Sequence, residues 1–317
     1  MNENTNVNPS PWQVMWKEIR YDKLALIGVV LFVTIVATIY IWAPFIDRDV
    51  SDQINLRMMR NQPCGIFGWG QDPEGLTTRC YRCGQDPCGR FFMGTDSGGR
   101  PMLQQFIVSA RNSLTIGFAV TIGGALIGIT LGLVAGFYAG HLENLIQRLI
   151  ALYVMVPFLM LITLAISFLN HYGVVTFSLM MIALSTWLGF YGMARVKTLQ
   201  QGRLDYVSAS KTLGTPNIVI IFREVLPNLV SILVSQFTLA LAANIGIETG
   251  LTFLGFGIPP ATPSLGRLIV YARTPANLTG RLWLWLPSAL LIVTLMLSIN
   301  FVGQALNRAA DAKKRRV

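Results

Sequence analysis

The four cysteines of this 317-residue chain lie within one short stretch, and their thiols have the clearest potential for chemistry. They are Cys64, Cys80, Cys83 and Cys88. The Cys-x-x-Cys pair, with another cysteine five residues later, suits a zinc or iron–sulfur site with four thiolate ligands. In an extracytoplasmic compartment, two disulfides in one of three connectivities are the default. The sequence leaves disulfides, a metal site and free thiols open.

The rest of the sequence has no set of residues that suggests catalysis. His141 and His171 are isolated from each other and cannot share a metal. No G-x-x-x-x-G-K-[ST] phosphate loop occurs, and no nucleophile stands beside a base. We therefore expect a protein that is not an enzyme and does not itself bind ATP.

The composition indicates a membrane protein. Hydrophobic residues make up 53% and charged residues 13% of the chain, against about 25% charged residues in soluble domains. Five runs without Asp, Glu, Lys or Arg are long enough to cross a bilayer, which takes about 20 residues. They are Leu24–Ile46, Asn112–Leu142, Leu149–Ala194, Val225–Ile247 and Leu282–Asn307.

The third run is long enough for two spans, and the polar turn Asn170–Gly173 divides it. The sequence therefore predicts an all-α membrane protein with six transmembrane helices and both termini on the same side. The first run is too long for the core of a cleaved signal peptide, so we expect it to remain as a helix.

Basic residues flank the predicted spans unevenly. If the N-terminus is cytoplasmic, fourteen lie in the inner segments and only Arg267, Arg273 and Arg281 lie in the short outer loops. This bias follows the positive-inside rule and predicts cytoplasmic termini. The net charge of +10 then reflects topology and contact with anionic lipid rather than with nucleic acid.

This topology divides the chain into five regions. They are a cytoplasmic N-terminal segment (1–23), the first transmembrane helix (24–46), an extracytoplasmic loop with the cysteines (47–103), a five-helix core (104–307) that includes a cytoplasmic coupling loop (195–226), and a basic cytoplasmic tail (308–317).

A short polar helix is predicted inside the cytoplasmic loop, in the stretch YVSASKTLGTP (206–216). Asp205 is the expected N-cap, Gly214 the left-handed residue after the helix, and Pro216 prevents its continuation. Tyr206, Ala209, Ser210 and Leu213 are expected to share one face. So short a helix needs a partner surface, either its own bundle or another protein.

Four motifs together resemble a known family. YVSASKTLG, followed by Leu226-Pro227, resembles the Glu-Ala-Ala, three residues, Gly and later Leu-Pro signature of ATP-binding-cassette importer permeases. GTDSGGR (94–100), ETGLTFLGFG (248–257) and PPATPSLG (259–266) are similar to stretches of the C-type permease subunit of oligopeptide and dipeptide importers. The resemblance covers the chain from Met93 to the C-terminus, with the first span in its expected place.

The resemblance implies a type I importer permease fold in a bacterial-type plasma (inner) membrane. It also implies a second permease subunit, two ATPase subunits or domains that bind ATP and Mg, an extracytoplasmic substrate-binding protein and lipid as partners. The implied substrates are oligopeptides or dipeptides, with nickel or glutathione as alternatives in the same family. An ion-gradient-driven transporter and a membrane sensor remain rival classes.

The residues implied to couple the permease to its ATPase lie in the short polar helix. They are Tyr206, Ser208, Ala209, Ser210, Leu213 and Gly214. The Glu of the family signature falls on Ser208 and its second Ala on Ser210. The small side chains still allow close packing, but the family's acidic contact with the ATPase cannot be assumed here.

Two polar residues of the fifth predicted span, Asn244 and Glu248, are candidates for the substrate path. The alternative for Glu248 is an interfacial carboxylate, solvated or paired with an Arg of the following loop. In the second span, glycines recur at every fourth position from Gly124 to Gly136. This ridge predicts close helix packing within the subunit, with an interface between two permeases as the alternative. Pro157 predicts a kink in the third span.

The topology can be tested with a reporter that is active only in the cytoplasm. Fusion of the reporter to Val317 should give a signal, whereas insertion at Gly75 should give none, because the positive-inside bias places the cysteine loop outside. Reporter activity at Gly75 would invert the orientation.

Overall fold

The computed structural model describes residues 20, 22–46, 93–167, 173–259 and 262–314. The described residues are helical in most places, and the main helices are numbered here in chain order. They are α1 (Lys23–Trp42), α2 (Met102–Tyr138), α3 (Gly140–Val154), α4 (Phe158–Ser167), α5 (Val174–Met181), α6 (Trp187–Gln201), α7 (Asp205–Thr212), α8 (Leu226–Leu254), α9 (Leu265–Ile269), α10 (Pro275–Gly280) and α11 (Leu286–Lys314).

The most extensive contact between two helices of the described chain is that of α2 with α6, and glycines of α2 permit their close approach. A Cβ added to Gly132 would lie 2.7 Å from Ala194 Cβ and 2.7 Å from the Tyr191 carbonyl oxygen. One turn later, a Cβ on Gly136 would lie 2.7 Å from the Arg195 carbonyl oxygen. The predicted ridge therefore packs within the subunit, and the alternative of an interface between permeases is wrong for these glycines.

The order of these contacts shows that α2 and α6 run parallel, because successive glycines of α2 meet successively later residues of α6. The chain between them must therefore return to the other end of the bundle. That return is made by α3 and α4, which form an angle of 77° at a break that contains Pro157. The kink predicted at Pro157 is confirmed as a sharp bend.

The remaining long helices pack antiparallel to their neighbours. Asn244 donates a hydrogen bond to Thr121 in the middle of α2, whereas Leu133, nearer the end of α2, packs with Leu229 at the start of α8. The start of α1 meets the end of α11 through an ion pair between Asp22 and Arg308. Apolar side chains of α1, α2, α8 and α11, with Leu265 of α9, fill the space between these helices. This core contains Ile39, Ala110, Leu114, Leu241, Ala242, Ile245, Leu265, Ile292, Leu295 and Ile299.

Four helical segments of the described chain are long and apolar enough to cross a membrane, and the bent α3–α4 pair makes a fifth if it counts as one span. The four are Lys23–Phe45, Met102–Tyr138, Asn217–Leu254 and Leu286–Arg308. The predicted fourth span corresponds to α5 and α6, which a five-residue π turn, Ile182–Thr186, separates. With 8 and 15 residues, neither helix alone has the length of a span. The count of six is not confirmed and stays a prediction.

The glycine contact can be tested with one substitution at two sites. Gly132→Ala should lower the thermal unfolding midpoint of the detergent-purified protein by several degrees, because overpacking costs about 1–3 kcal/mol. Gly192→Ala is the matched control, since a Cβ there meets no atom within 4 Å, and it should leave the midpoint unchanged or raise it. Equal midpoints for the two variants would contradict the close α2–α6 contact.

Candidate functional site

The predicted cytoplasmic helix is present as α7, eight residues long. The prediction that Asp205 is its N-cap is wrong by one residue. Leu204 occupies that place with extended backbone and no side-chain hydrogen bond, and Asp205 begins the first turn. There its negative charge favours the helix start through the helix dipole.

The C-terminal end of α7 has the geometry that the sequence predicts. Gly214 has φ +78°, in the left-handed region. Its backbone N–H donates to the Lys211 carbonyl oxygen (3.0 Å), and the N–H of Thr215 donates to that of Ser210 (3.1 Å). These two bonds form a Schellman motif, which fixes where the helix stops and how the chain leaves it.

One side of α7 is anchored on the subunit's own bundle. Val207 is fully buried, in a cluster with residues of α2, α6 and α8. The hydroxyl of Ser210 donates to the Glu224 carboxylate, with 2.9 and 2.8 Å to its two oxygens. Lys211 places its ammonium 4.7 Å from the centre of the Phe137 ring, at the end of α2. Three helices of the bundle therefore hold α7 in place.

Tyr206 also belongs to the anchored side of α7. Burial raises the pKa of its hydroxyl, which therefore stays protonated and donates a hydrogen bond to Gln201 at the end of α6 (2.8 Å). The face predicted from spacing is thus divided, because Tyr206 and Ser210 bond to the bundle while Ala209 and Leu213 are exposed.

The opposite side of α7 is exposed, and we call it the exposed face. It consists of Ser208, Ala209, Thr212 and Leu213. Leu213 is 84% exposed although it is a large apolar residue. Ile218, in the same loop, is 61% exposed. Two large apolar side chains of this mostly polar loop are therefore exposed in the subunit alone.

Sequence reasoning missed the residues that anchor α7. Val207, Glu224 and Phe137 do this. Val207 lies inside the motif but was not among the predicted coupling residues, and the other two lie outside the motif. Two signals were available in the sequence. Val207 is the one large aliphatic residue in a polar helix, and Glu224 is an acidic residue two positions before Leu226-Pro227. Distances along the chain could not reveal that Phe137 comes close, because its contact joins distant segments.

The two candidate residues for the substrate path lie inside the subunit. Asn244 is 6% exposed and its side chain donates to Thr121 Oγ1 (2.8 Å). Glu248 is 0% exposed and accepts a hydrogen bond from Thr252 (3.1 Å). The alternative that Glu248 is solvated or paired with an Arg is wrong. The carboxyl group is covered by protein, and Arg273 of the following loop instead lies over the Phe253 ring.

The motif at residues 94–100 forms a turn around Asp96, which is 3% exposed. Its Oδ1 accepts from the N–H groups of Gly98 (2.8 Å) and Arg100 (2.9 Å). Its Oδ2 accepts from Gln105 Nε2 (3.1 Å) and from the Tyr271 hydroxyl (3.2 Å). Burial and the Asp96 charge raise the pKa of Tyr271, which keeps its proton for this bond. Asp96 therefore joins the start of α2 to the segment that follows α9.

An apolar groove of about 350 Å³ lies between α2 and the start of α8. Among the residues that line it, Thr130 alone carries a polar side chain, and Phe222, Leu226 and Phe237 are typical of the rest. A peptide brings a polar backbone and two charged termini, whose burial needs matching polar groups. This groove lacks the chemistry for a peptide site.

The four cysteines and His171 lie outside the described residues. Within the described ranges no group of three or more His, Cys, Asp or Glu side chains is placed to hold a metal ion. The choice among disulfides, a zinc or iron–sulfur site and free thiols therefore stays as the sequence left it.

The chain is similar to known proteins over nearly its whole length. The family described as "Binding-protein-dependent transport system inner membrane component" matches residues 128–316. The family described as "N-terminal TM domain of oligopeptide transport permease C" matches residues 10–63.

Individual relatives carry related names. The oligopeptide transport system permease protein OppC of Lactococcus lactis subsp. cremoris is 34% identical over 94% of this chain and 93% of its own. The di/tripeptide transport system permease protein DppC of Pseudomonas aeruginosa is 31% identical over 97% and 94%. The peptidoglycan transport system permease protein YejE of Agrobacterium fabrum is 34% identical over 86% and 71%.

Proposed function

The chain belongs to the family of binding-protein-dependent transport system inner membrane components, and we propose that it is the C-type permease subunit of an ATP-driven importer of oligopeptides or dipeptides. Relatives that it covers over nine tenths of their length are named for these substrates. The chain is not catalytic itself and provides half of the translocation path. None of the relatives described above is named for nickel or glutathione, so we do not favour these as substrates.

The observation that carries the proposal is the exposed face of α7 on a firmly anchored helix. Leu213 and Ala209 point away from the bundle, while Val207, Ser210 and Lys211 fix the other side. A helix of eight residues keeps its shape only through such contacts. This combination suits a rigid docking element for a soluble partner, which we take to be the ATPase subunit that binds ATP and Mg.

Coupling follows from where α7 is attached. It contacts the end of α6 through Gln201, the end of α2 through Phe137 and the segment before α8 through Glu224. Movement of the ATPase would therefore be transmitted to three helices of the core at once. We propose that this movement shifts the permease pair between inward-open and outward-open states.

The helix directions support six crossings. The long helices alternate in direction along the chain if the bent α3–α4 pair and the α5–α6 pair each cross once. An even number of crossings places both ends of the chain on the same side of the membrane. The ion pair between Asp22 and Arg308, near the two ends of the described chain, agrees with this. With the bias of basic residues, we place both ends and α7 in the cytoplasm, and the substrate-binding protein on the other side.

An ion-gradient-driven transporter fits the sequence less well. Proton or ion relays need several ionisable groups across the membrane. Glu248 is the only acidic residue of α8. The part of α2 between Asn112 and Tyr138 has no charged residue.

Uptake of a radiolabelled oligopeptide by vesicles that contain all partner subunits tests the proposal. With ion gradients collapsed by ionophores, uptake should require ATP and the binding protein. Uptake that persists without ATP and stops when the gradients collapse would refute an ATP-driven importer.

Ala209→Glu tests the role of the exposed face in the same vesicles. The added bulk and charge should disturb a packed interface at a cost of about 1–3 kcal/mol, and weaken ATPase association roughly 5–150-fold. Lys211→Ala adds no bulk or charge to the exposed face and removes only the contact with Phe137, so it should weaken ATPase association less than Ala209→Glu does. Normal uptake by Ala209→Glu at a normal membrane level would show that α7 is only a connector.

A further inference from the structure

Glu248 lies at the outer end of α8 in a pocket of hydroxyl groups. Thr252, one turn later on the same helix, donates a hydrogen bond to Oε1 (3.1 Å). The hydroxyls of Ser113, Ser264 and Thr249 also border the carboxyl group. These residues come from α2, α8 and the segment that begins α9. The carboxyl group therefore lies where three parts of the chain meet.

The hydrogen bonding of this pocket is incomplete. Among the described residues, neither Glu248 Oε2 nor the Thr249 hydroxyl oxygen has a hydrogen-bond partner, and both atoms are buried. A buried polar atom without a partner has lost its hydration and gained nothing in exchange. The arrangement with Glu248 covered therefore carries a free-energy cost that access of water would remove.

The cover of the pocket is the segment Thr262–Arg273, which contains α9. Its backbone is held on α2 by two hydrogen bonds. The Leu265 N–H donates to Ser113 Oγ (3.0 Å), and the Asn112 side chain donates to the Pro263 carbonyl oxygen (2.8 Å). Ser264 caps α9 by accepting from the Arg267 N–H (3.2 Å).

The same segment lies very close to α8. A Cβ on Gly266 would lie 2.8 Å from Thr252 Cβ and 2.9 Å from the Thr249 carbonyl oxygen. The helix α9 has only five residues, so it depends on these contacts rather than on its own hydrogen bonds. The segment is also fixed by Leu265, which is buried in the core, and by Tyr271, which donates to Asp96. Its contacts with α2 and α8 surround a carboxyl group that burial leaves incompletely paired.

Resting on the proposed function, we propose that Glu248 is a positioning residue of the transport cycle. Its carboxyl group is covered when Thr262–Arg273 lies against α2 and α8, and becomes hydrated when this segment moves away at the outer end. The unpaired oxygen keeps the covered state from becoming too stable. Glu248 thereby sets the balance between a closed and an open outer end without touching the peptide.

Substitution by an apolar residue of similar size removes the unpaired oxygen. In vesicles with all partners, Glu248→Met should leave the KM for the peptide-loaded binding protein unchanged. The maximal uptake rate should fall about tenfold, because the covered state no longer contains a buried polar group without a partner. Thermal stability should be equal or higher. Glu248→Asp keeps a carboxyl group and should retain more of the rate.

The possible results separate the roles of Glu248. A raised KM with an unchanged maximal rate would place Glu248 in the substrate path instead. Lowered stability in both variants, with uptake falling in proportion, would make its role merely structural. An unchanged maximal rate for Glu248→Met, in vesicles where wild-type uptake depends on ATP, would overturn this inference alone. Wild-type uptake without ATP would instead refute the proposed function.

Movement of the segment is tested by the reactivity of a buried position in it. Ser264 is 0% exposed, so in right-side-out vesicles Ser264→Cys should react slowly with a maleimide at rest and several-fold faster when internal ATP and the loaded binding protein drive transport. Wild-type protein under the same conditions controls for the four native cysteines. Equal labelling of Ser264→Cys with and without transport would show that the segment does not move, and would overturn the inference.

Discussion

Close contact between α2 and α6 is the constraint on which the rest of the structure depends. Lipid is as apolar as the helix surfaces, so helices associate in a membrane mainly where small residues let their backbones approach. Glycines from Gly124 to Gly136 allow this approach along three turns of α2. Because the two helices run parallel, the bent α3–α4 pair must return between them. Parallel helices end on the same side of the bundle. The helix α7, which follows the end of α6 at Gln201, therefore lies beside the end of α2, where the Lys211 ammonium contacts the Phe137 ring.

This placement connects the two ends of the molecule mechanically. At the end with α7, contacts to Gln201, Phe137 and Glu224 tie one exposed helix to three helices of the core. At the other end, α2 and α8 together hold the segment that covers Glu248. Both ends thus involve the same two long helices. A change imposed on α7 by a partner can reach the outer end through α2 and α8, as rigid elements that shift against each other.

Much of the fold could be predicted from local chemistry. Apolar runs indicated the long helices, Pro157 the bend, Gly214 the end of α7 and the glycine ridge a close contact. The misjudged features depend on contacts between distant segments. Spacing placed Ala209 and Ser210 on one face, but Glu224 binds only the second of them. Nothing in the charge pattern indicated that the segment around Leu265 folds back over Glu248, because Asn112 and Ser113 hold it there from far along the chain.

Maleimide labelling of Leu213→Cys in inside-out vesicles measures directly whether the exposed face of α7 becomes covered by an ATPase. Leu213 is 84% exposed in the subunit alone, so labelling should be fast without the ATPase. The native cysteines, predicted to lie inside such vesicles, are controlled for by wild-type protein. If α7 is the docking element, adding the ATPase subunit should slow labelling at position 213 at least several-fold. Labelling that is equally fast with the ATPase bound would contradict the docking of this face.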